Sequence, residues 1–264
     1  ILEPITIESV TPNPVRPGET ITITGTYLNL ISTVEFGGLQ EVTEFVSQTR
    51  TKLEVVVPEG AQSGPLVLYD SEEVPNEVES EEDLVITLPM AVAIAPNPVK
   101  AGEAITITGT DLDLATAVEF AGNQRVESGD FISQTETEIV VHVPADTDDG
   151  VINLVAPSSV KSPSANELVM VVPGITSVTG ISENVGKNNG LITVTGTNLD
   201  LITQVTFGGE KQAGVEDGGT SEEITVQIPS DATDGVLSFS TAAGKSVSSP
   251  AALTLVAPEI SSFT

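Results

Sequence analysis

One stretch of sequence occurs three times along the chain and decides the fold. It is first met as Gly25-Thr-Tyr-Leu-Asn-Leu-Ile-Ser-Thr-Val-Glu-Phe-Gly-Gly38. It returns as Gly109-Thr-Asp-Leu-Asp-Leu-Ala-Thr-Ala-Val-Glu-Phe-Ala-Gly122 and as Gly196-Thr-Asn-Leu-Asp-Leu-Ile-Thr-Gln-Val-Thr-Phe-Gly-Gly209. The copies begin 84 and 87 residues apart, a period long enough for a small domain with its own core. The sequence therefore predicts three domains of one kind.

Proline marks the same period and places the boundaries between the repeats. Pro4, Pro89, Pro173 and Pro258 are 85, 84 and 85 residues apart, and each precedes an apolar strand pattern. Proline fixes φ and cannot extend a preceding strand ladder, so we expect stiff joints with almost no linker. The expected domains are residues 1–88, 89–172 and 173–257, with 258–264 as the first strand of a following domain.

Alternating apolar and polar residues predict β-strands throughout each repeat. The pattern Thr20-Ile-Thr-Ile-Thr24, for example, has the period of two that is typical of a strand with one buried face. A later strand in each repeat is expected to point these residues inward: Leu53, Val55 and Val57; Ile139, Val141 and Val143; Ile224, Val226 and Ile228. No stretch predicts a long helix. The expected fold class is all-β.

Aromatic and turn residues refine this picture. Phe36, Phe120 and Phe207 recur at one place in the repeat, and we interpret them as core anchors rather than as ligand platforms. The glycines that open the repeated stretch are expected to end a strand at a sharp turn. Asp-Gly pairs at Asp149-Gly150 and Asp234-Gly235 predict turns as well. Residues 71–83 hold seven acids in thirteen and are predicted to form a solvated loop.

The order of these motifs resembles a known domain family. Gly-Thr-x-Leu, then Val-x-Phe-Gly-Gly, then Thr-x-Ile-x-Val-x-Val-Pro is similar to the IPT/TIG immunoglobulin-like domain over residues 4 to 257. The resemblance implies tandem β-sandwiches of about seven strands each. Because almost no residues separate one repeat from the next, we expect the sandwiches to stack end to end as an elongated rod. Such domains occur in transcription factors, cell-surface receptors, polysaccharide-acting enzymes and bacterial surface proteins.

Composition narrows the partners that we expect. The chain has 9 Lys and Arg against 38 Asp and Glu, a net charge of −29, and it has no cysteine. This surface repels phosphate backbones and anionic lipid heads, so nucleic acid is not an expected partner. No apolar run approaches the roughly 18 residues that a membrane span requires. We expect a monomer without a membrane-spanning segment.

Residues for catalysis, cofactors or metals are not apparent in the sequence. No nucleophile elbow, phosphate loop, dinucleotide fingerprint or zinc spacing is present, and His142 is the only histidine. His142 is expected on the outer face of its strand. Asp146–Asp149 and Asp231–Asp234 could offer calcium ligands, but we interpret them as turn caps. Tyr27 and Tyr69 are the only tyrosines, and tryptophan, the usual sugar platform, is absent.

These observations favour a chain that is not an enzyme and has no cofactor. The tandem acidic repeats look like the N-terminal region of a Bacteroidetes surface glycan-binding lipoprotein. The first hypothesis is therefore a cell-surface spacer and binding scaffold of a polysaccharide-utilisation system, anchored to the outer membrane in the full-length protein. The second is an accessory region of a polysaccharide-degrading enzyme. The third is an adhesin or surface-layer stalk that binds a protein partner. The sequence does not predict which residues bind a ligand.

Overall fold

The structure is a computed structural model that describes residues 4–72 and 76–257. In this part of the chain, regular structure consists of β-strands and four short 3-10 turns. The all-β prediction is confirmed. The prediction that residues 258–264 open another domain lies outside the described residues.

Eight strands form the first sandwich. They are β1 (Thr6–Thr11), β2 (Thr20–Thr26), β3 (Ile31–Gly37), β4 (Gln40–Val42), β5 (Ser47–Gln48), β6 (Lys52–Val56), β7 (Gln62–Asp70) and β8 (Glu77–Glu79). One sheet has the order β1-β2-β6-β5 and the other the order β4-β3-β7-β8, with antiparallel neighbours. Buried side chains from both sheets form one core cluster between them.

The second sandwich repeats this arrangement. Its strands are β9 (Met90–Ala95), β10 (Ala104–Thr110), β11 (Ala117–Phe120), β12 (Gln124–Glu127), β13 (Ser133–Gln134), β14 (Glu138–His142), β15 (Gly150–Val155) and β16 (Lys161–Leu168). The sheet orders are β13-β14-β10-β9 and β12-β11-β15-β16. A separate core cluster fills the space between these two sheets.

The third sandwich distributes its strands differently. They are β17 (Gly174–Thr179), β18 (Val185–Gly186), β19 (Leu191–Thr197), β20 (Ile202–Gly208), β21 (Lys211–Gly214), β22 (Glu223–Gln227), β23 (Thr233–Thr241) and β24 (Ser246–Leu255). The sheets are β17-β19-β22 and β18-β24-β23-β20-β21, in which β18 runs parallel to β24. A third core cluster lies between them.

The predicted core residues are buried. Phe36, Phe120 and Phe207 are 1%, 4% and 2% exposed, which confirms their interpretation as core anchors. The nine residues predicted to point inward, which lie in β6, β14 and β22 or directly follow them, are all buried too. Each such apolar side chain contributes about 1.5–3 kcal/mol when it leaves water.

The glycine that opens each repeated stretch does not end its strand, so that prediction is wrong. Gly25 lies inside β2, and a Cβ placed there would come within 1.9 Å of the backbone oxygen of Thr6. The register of β1 against β2 shifts between Ile7 and Ser9, beside this close approach. The chain turns two residues later, at Tyr27 with φ 56°, where a 3-10 turn begins. Glycine is required here by backbone proximity rather than by a turn.

The two Asp-Gly pairs also differ from the prediction, because they do not form turns. Gly150 begins β15, and Asp234 lies within β23. Asp149 Oδ1 accepts a hydrogen bond from the backbone N–H of Met170 at 2.6 Å, and Asp234 Oδ1 accepts one from Leu255 at 2.7 Å. The two carboxylates thus hold the closing segments of the second and third sandwiches.

The acidic run is only partly a loop. Glu77–Glu79 form β8 and pair with β7, so the prediction of a solvated loop is wrong for these residues. Asn76 donates its side-chain and backbone N–H groups to Asp70, which lowers the pKa of that carboxyl. The high acid content obscured the short alternation of Glu77, Val78 and Glu79. Residues 73–75 lie outside the described part of the chain.

Candidate functional site

The joint between the first and second sandwiches brings opposite charges together. Arg16 lies in the turn between β1 and β2, and its Nη2 is 2.6 Å from each side-chain oxygen of Asp113. Its Nε is 3.6 Å from Asp111 Oδ1. Asp113 lies in the 3-10 turn at Leu112–Leu114, and Asp111 directly precedes this turn. The hydrogen bond to Asp113 raises the pKa of Arg16.

The next joint repeats this contact at the equivalent position. Lys100 lies in the turn between β9 and β10, and its Nζ is 3.2 and 3.3 Å from the side-chain oxygens of Asp200. Asp200 belongs to the 3-10 turn at Leu199–Leu201, the counterpart of the aspartate turn in the second sandwich. The basic turn of one sandwich therefore contacts the acidic 3-10 turn of the next at both joints.

A second ion pair strengthens the later joint. Lys245, from the hairpin between β23 and β24, contacts Asp149 Oδ2. The hydrogen bond from Lys245 lowers the pKa of Asp149, although burial opposes this shift. Asp149 thus binds the closing segment of its own sandwich with one oxygen and the next sandwich with the other.

Apolar side chains complete the later joint. A groove between the two ion pairs is lined by Ala101 and Val171 of the second sandwich and by Leu201, Ala242 and Ala243 of the third. Exposed ion pairs contribute only about 0–1 kcal/mol each. At a joint they act on orientation instead. The apolar contact and the buried prolines allow several orientations of the two sandwiches, and the ion pairs select one of them.

The proline positions support this account. Pro89 and Pro173 are buried in the structure, each at the point where one sandwich follows another. A buried proline has a fixed φ and little freedom to reorient. Backbone geometry and side-chain charge therefore act together at each joint.

His142 lies where the sequence placed it. It ends β14 with its side chain exposed, as predicted for the outer face of the strand. Its Nδ1 is 3.1 Å from the backbone oxygen of Gly102. This contact ties the histidine to a neighbouring turn.

The carboxylates that were weighed as calcium ligands do not gather. Within residues 4–72 and 76–257, no three His, Cys, Asp or Glu side chains are grouped as a metal site requires. Asp231 forms an ion pair with Lys211 at 2.7 Å. Asp149 and Asp234 bind backbone N–H groups instead. Asp149 and Asp234 each hold a segment 21 residues further along the chain, rather than capping a local turn.

The two tyrosines lie apart in the first sandwich. The Arg50 guanidinium carbon is 4.3 Å from the centre of the Tyr27 ring, a cation–π distance. Tyr69 is half-buried on β7, and its hydroxyl is 3.4 Å from Glu35 Oε2. Burial and the neighbouring carboxylates raise the pKa of Tyr69.

The joint residues were not predicted from the sequence, although a signal was present. A basic residue follows valine in the turn clusters at Val15-Arg16 and Val99-Lys100. An aspartate recurs at the fifth position of the repeated stretch in Asp113 and Asp200. The sequence did not reveal that the turn after the first strand of one repeat contacts the 3-10 turn of the next repeat.

The chain consists of two-sheet sandwiches that follow one another, with a buried proline and ion pairs at each joint. This architecture defines a tandem immunoglobulin-like protein. A family model described as IPT/TIG domain matches residues 4–81 and 89–167. The chain belongs to this family, and the resemblance seen in the sequence is confirmed.

Several solved structures match most of this chain. One, crystallised with a xylogluco-oligosaccharide, is 19% identical with a TM-score of 0.35, and the match covers 94% of this chain and 60% of that one. A mixed-linkage glucan utilisation protein of Bacteroides ovatus, bound to a heptasaccharide, is 18% identical with a TM-score of 0.28, covering 94% and 67%. A surface glycan-binding protein of Prevotella bryantii is 14% identical with a TM-score of 0.32, covering 83% and 59%.

The chain spans only 60% of the length of the xylogluco-oligosaccharide-bound protein. The search of curated proteins found no match. Among the described residues, no helix has the length and apolar character needed to cross a membrane.

Proposed function

We propose that the chain is a non-catalytic spacer and binding scaffold of a cell-surface, glycan-binding protein of a polysaccharide-utilisation system. The observation that supports the spacer role is the joint that repeats along the chain, with Arg16 on Asp113 and then Lys100 on Asp200. A chain of freely rotating domains would not need charged contacts at equivalent places. The glycan-binding context comes from the resemblance noted in the sequence.

The proposal includes the domain organisation expected from the repeats. Domains at residues 1–88, 89–172 and 173–257 would stack end to end as a rod, and 258–264 would begin a further domain. The three separate core clusters support this division. Net charge of −29 favours a monomer, because like-charged copies repel one another.

The partner in this proposal is a polysaccharide or a protein at the same surface, and the full-length protein would be anchored to the outer membrane. The acidic surface disfavours nucleic acid. The chain would then hold a binding domain away from the cell.

Distances between neighbouring sandwiches test the scaffold directly. The chain has no cysteine, so paired cysteines can be introduced and spin-labelled without background. Lys52 and Glu138, exposed at equivalent positions on β6 and β14, report on the first joint. We expect a narrow distance distribution, which Arg16→Glu broadens because Asp113 would then repel the turn that it now holds.

A matched control separates a joint effect from a general effect of charge. Arg125→Glu makes the same charge change, but Arg125 pairs with Glu119 and Glu127 of its own sandwich. This variant should leave the inter-sandwich distance unchanged. A broad distribution in the unmodified chain, or equal responses of the two variants, would contradict the scaffold role.

Assays with a panel of polysaccharides test whether the chain is catalytic and whether it binds a glycan itself. For the spacer and scaffold, we expect no hydrolysis of polysaccharides or aryl glycosides by residues 1–264. Turnover that is abolished by one carboxylate substitution would overturn the non-catalytic assignment. Native gel retardation by the same polysaccharides would show whether these repeats themselves bind the glycan.

A further inference from the structure

The third sandwich has a basic residue at the position that forms the earlier joints. The backbone oxygens of Val15 and Val99 accept hydrogen bonds from the closing segments of their sandwiches, both at 2.8 Å. The oxygen of Gly186 accepts the equivalent bond from Val256, also at 2.8 Å. The residue that follows is Arg16 in the first sandwich, Lys100 in the second and Lys187 in the third.

Lys187 lacks the contact that its counterparts make. It has no ion pair with any residue in the described ranges, whereas Arg16 and Lys100 each bind an aspartate of the next sandwich. Lys187 instead borders an open groove with Ile181, Asn188, Leu255 and Val256. We refer to these five residues as the Lys187 surface.

The apolar residues of the Lys187 surface are also more exposed than their counterparts in the first two sandwiches. The equivalent apolar residues that close the first two sandwiches, Ile86 and Met170, are 3% and 6% exposed. Leu255 at this position is only half-buried, and Val256 beside it is 48% exposed. The third sandwich therefore leaves exposed an apolar position that its predecessors bury in their cores. It also leaves Lys187 without the ion pair that Arg16 and Lys100 form with the next sandwich.

The chemistry of the two completed joints identifies the partner. In each, the basic side chain meets an aspartate of a Gly-Thr-x-Leu-Asp-Leu turn. A second copy of this chain does not offer that turn at its first sandwich, where Asn29 replaces the aspartate and Arg50 stands where the second sandwich has Glu136. Arg50 would repel Lys187, so end-to-end association of copies is disfavoured.

We infer that the Lys187 surface is a docking surface for a further IPT/TIG-type sandwich, which binds Lys187 through the aspartate of its Gly-Thr-x-Leu-Asp-Leu turn. The charge complementarity and the two repetitions of the same interface carry this inference. It does not depend on glycan binding, so it can fail while the proposed surface role stands, and the reverse also holds.

A lengthened chain provides the test. Residues 89–172 are appended after Ala257, so that Pro89 takes the place of Pro258 and a new Asp113 faces Lys187. Spin labels on Glu223→Cys of the third sandwich and Glu138→Cys of the appended copy measure the new joint. These positions are equivalent to the label sites of the first joint, starting β22 and β14.

We expect a distance distribution as narrow as that of the first joint. Lys187→Glu should remove the narrow peak, and adding Asp113→Lys in the appended copy should restore it. Lys211→Glu, which breaks an ion pair inside the third sandwich, is the control that should change nothing. A broad distribution in the lengthened chain, or a narrow one that Lys187→Glu leaves intact, would overturn the inference.

A second lengthened chain protects the test against misfolding of the first. Residues 173–257 are appended instead, so that a new Asp200 faces Lys187. The same charge reversal is then made with Lys187→Glu and Asp200→Lys. If both appended sandwiches fold and neither docks, the Lys187 surface does not receive this kind of domain.

Discussion

The three cores resemble one another more closely in residue type than the two joints do. In the cores, the same residue type returns at the same position, as with Phe36, Phe120 and Phe207. At the joints, the position returns but the chemistry changes. Arg16 reaches two aspartates at the first joint, whereas at the second Lys100 and Lys245 bind one aspartate each.

This difference follows from the physics of the two regions. A core is close-packed, so a change of one methylene group is felt by every neighbour. An exposed ion pair requires only opposite charges within reach, and it contributes little free energy. The cores therefore decide whether each sandwich folds, and the joints decide how the sandwiches are oriented.

The largest effect is expected for Phe120→Ala. Truncating this buried ring should cost about 3–5 kcal/mol of unfolding free energy. The loss should be confined to the second sandwich, because its core cluster is separate from the others. Residue-resolved hydrogen exchange measures this, with Phe120→Leu as the milder control. Equal loss of protection in all three sandwiches would contradict independent cores.

A smaller effect is expected for Gly109→Ala. The new Cβ would lie 1.9 Å from the backbone oxygen of Met90, so β9 and β10 must separate. Overpacking of this kind costs about 1–3 kcal/mol. Gly129→Ala is the control, since a Cβ there meets no atom within 4 Å. Equal denaturation midpoints for the two variants would show that the close approach does not constrain the sheet.

Arg16→Lys should alter the first joint without affecting the cores. Lysine keeps the charge but cannot contact Asp111 and Asp113 with separate nitrogens of one planar group. We expect a broader distance distribution between sandwiches and a change in unfolding free energy within about 0.5 kcal/mol. A large loss of stability with an unchanged distance would reverse the assignment of roles to core and joint.

The smallest effect concerns pH at the second joint. The hydrogen bond from Lys245 lowers the pKa of Asp149 in the folded chain. Its contribution is therefore present above the pKa of an unfolded aspartate and is lost as pH falls through the folded value. Carbon-detected NMR titration should show Asp149 titrating below ordinary aspartates, and Lys245→Gln should raise its pKa. An unchanged titration in that variant would refute the pairing.

The sequence predicted the parts of the fold that depend on a repeated pattern. Alternation placed Leu53 and Val55 in the core, and recurrence identified Phe120 as an anchor. The sequence-based predictions were wrong where a residue's role depends on a contact with a residue far along the chain. Gly25 is needed because Thr6 O approaches it, and Asp149 caps a segment 21 residues away.

The joints were missed for a related reason. Each half of the contact recurs visibly in the sequence, but a repeat does not show which of its ends meets the next copy. Arg16 and Asp113 are 97 residues apart and belong to different sandwiches. Only the three-dimensional arrangement brings them within hydrogen-bonding distance.

Small-angle X-ray scattering of the 264-residue chain tests the central claim, that held joints make it a spacer. Each sandwich is about 25–35 Å long from its strand rise, so three in series should span on the order of 100 Å. A compact chain of this length would have a radius of gyration near ~18 Å. The account predicts a much larger value that persists in salt, where repulsion between sandwiches is screened beyond about 8 Å. A radius of gyration near the compact value would contradict it.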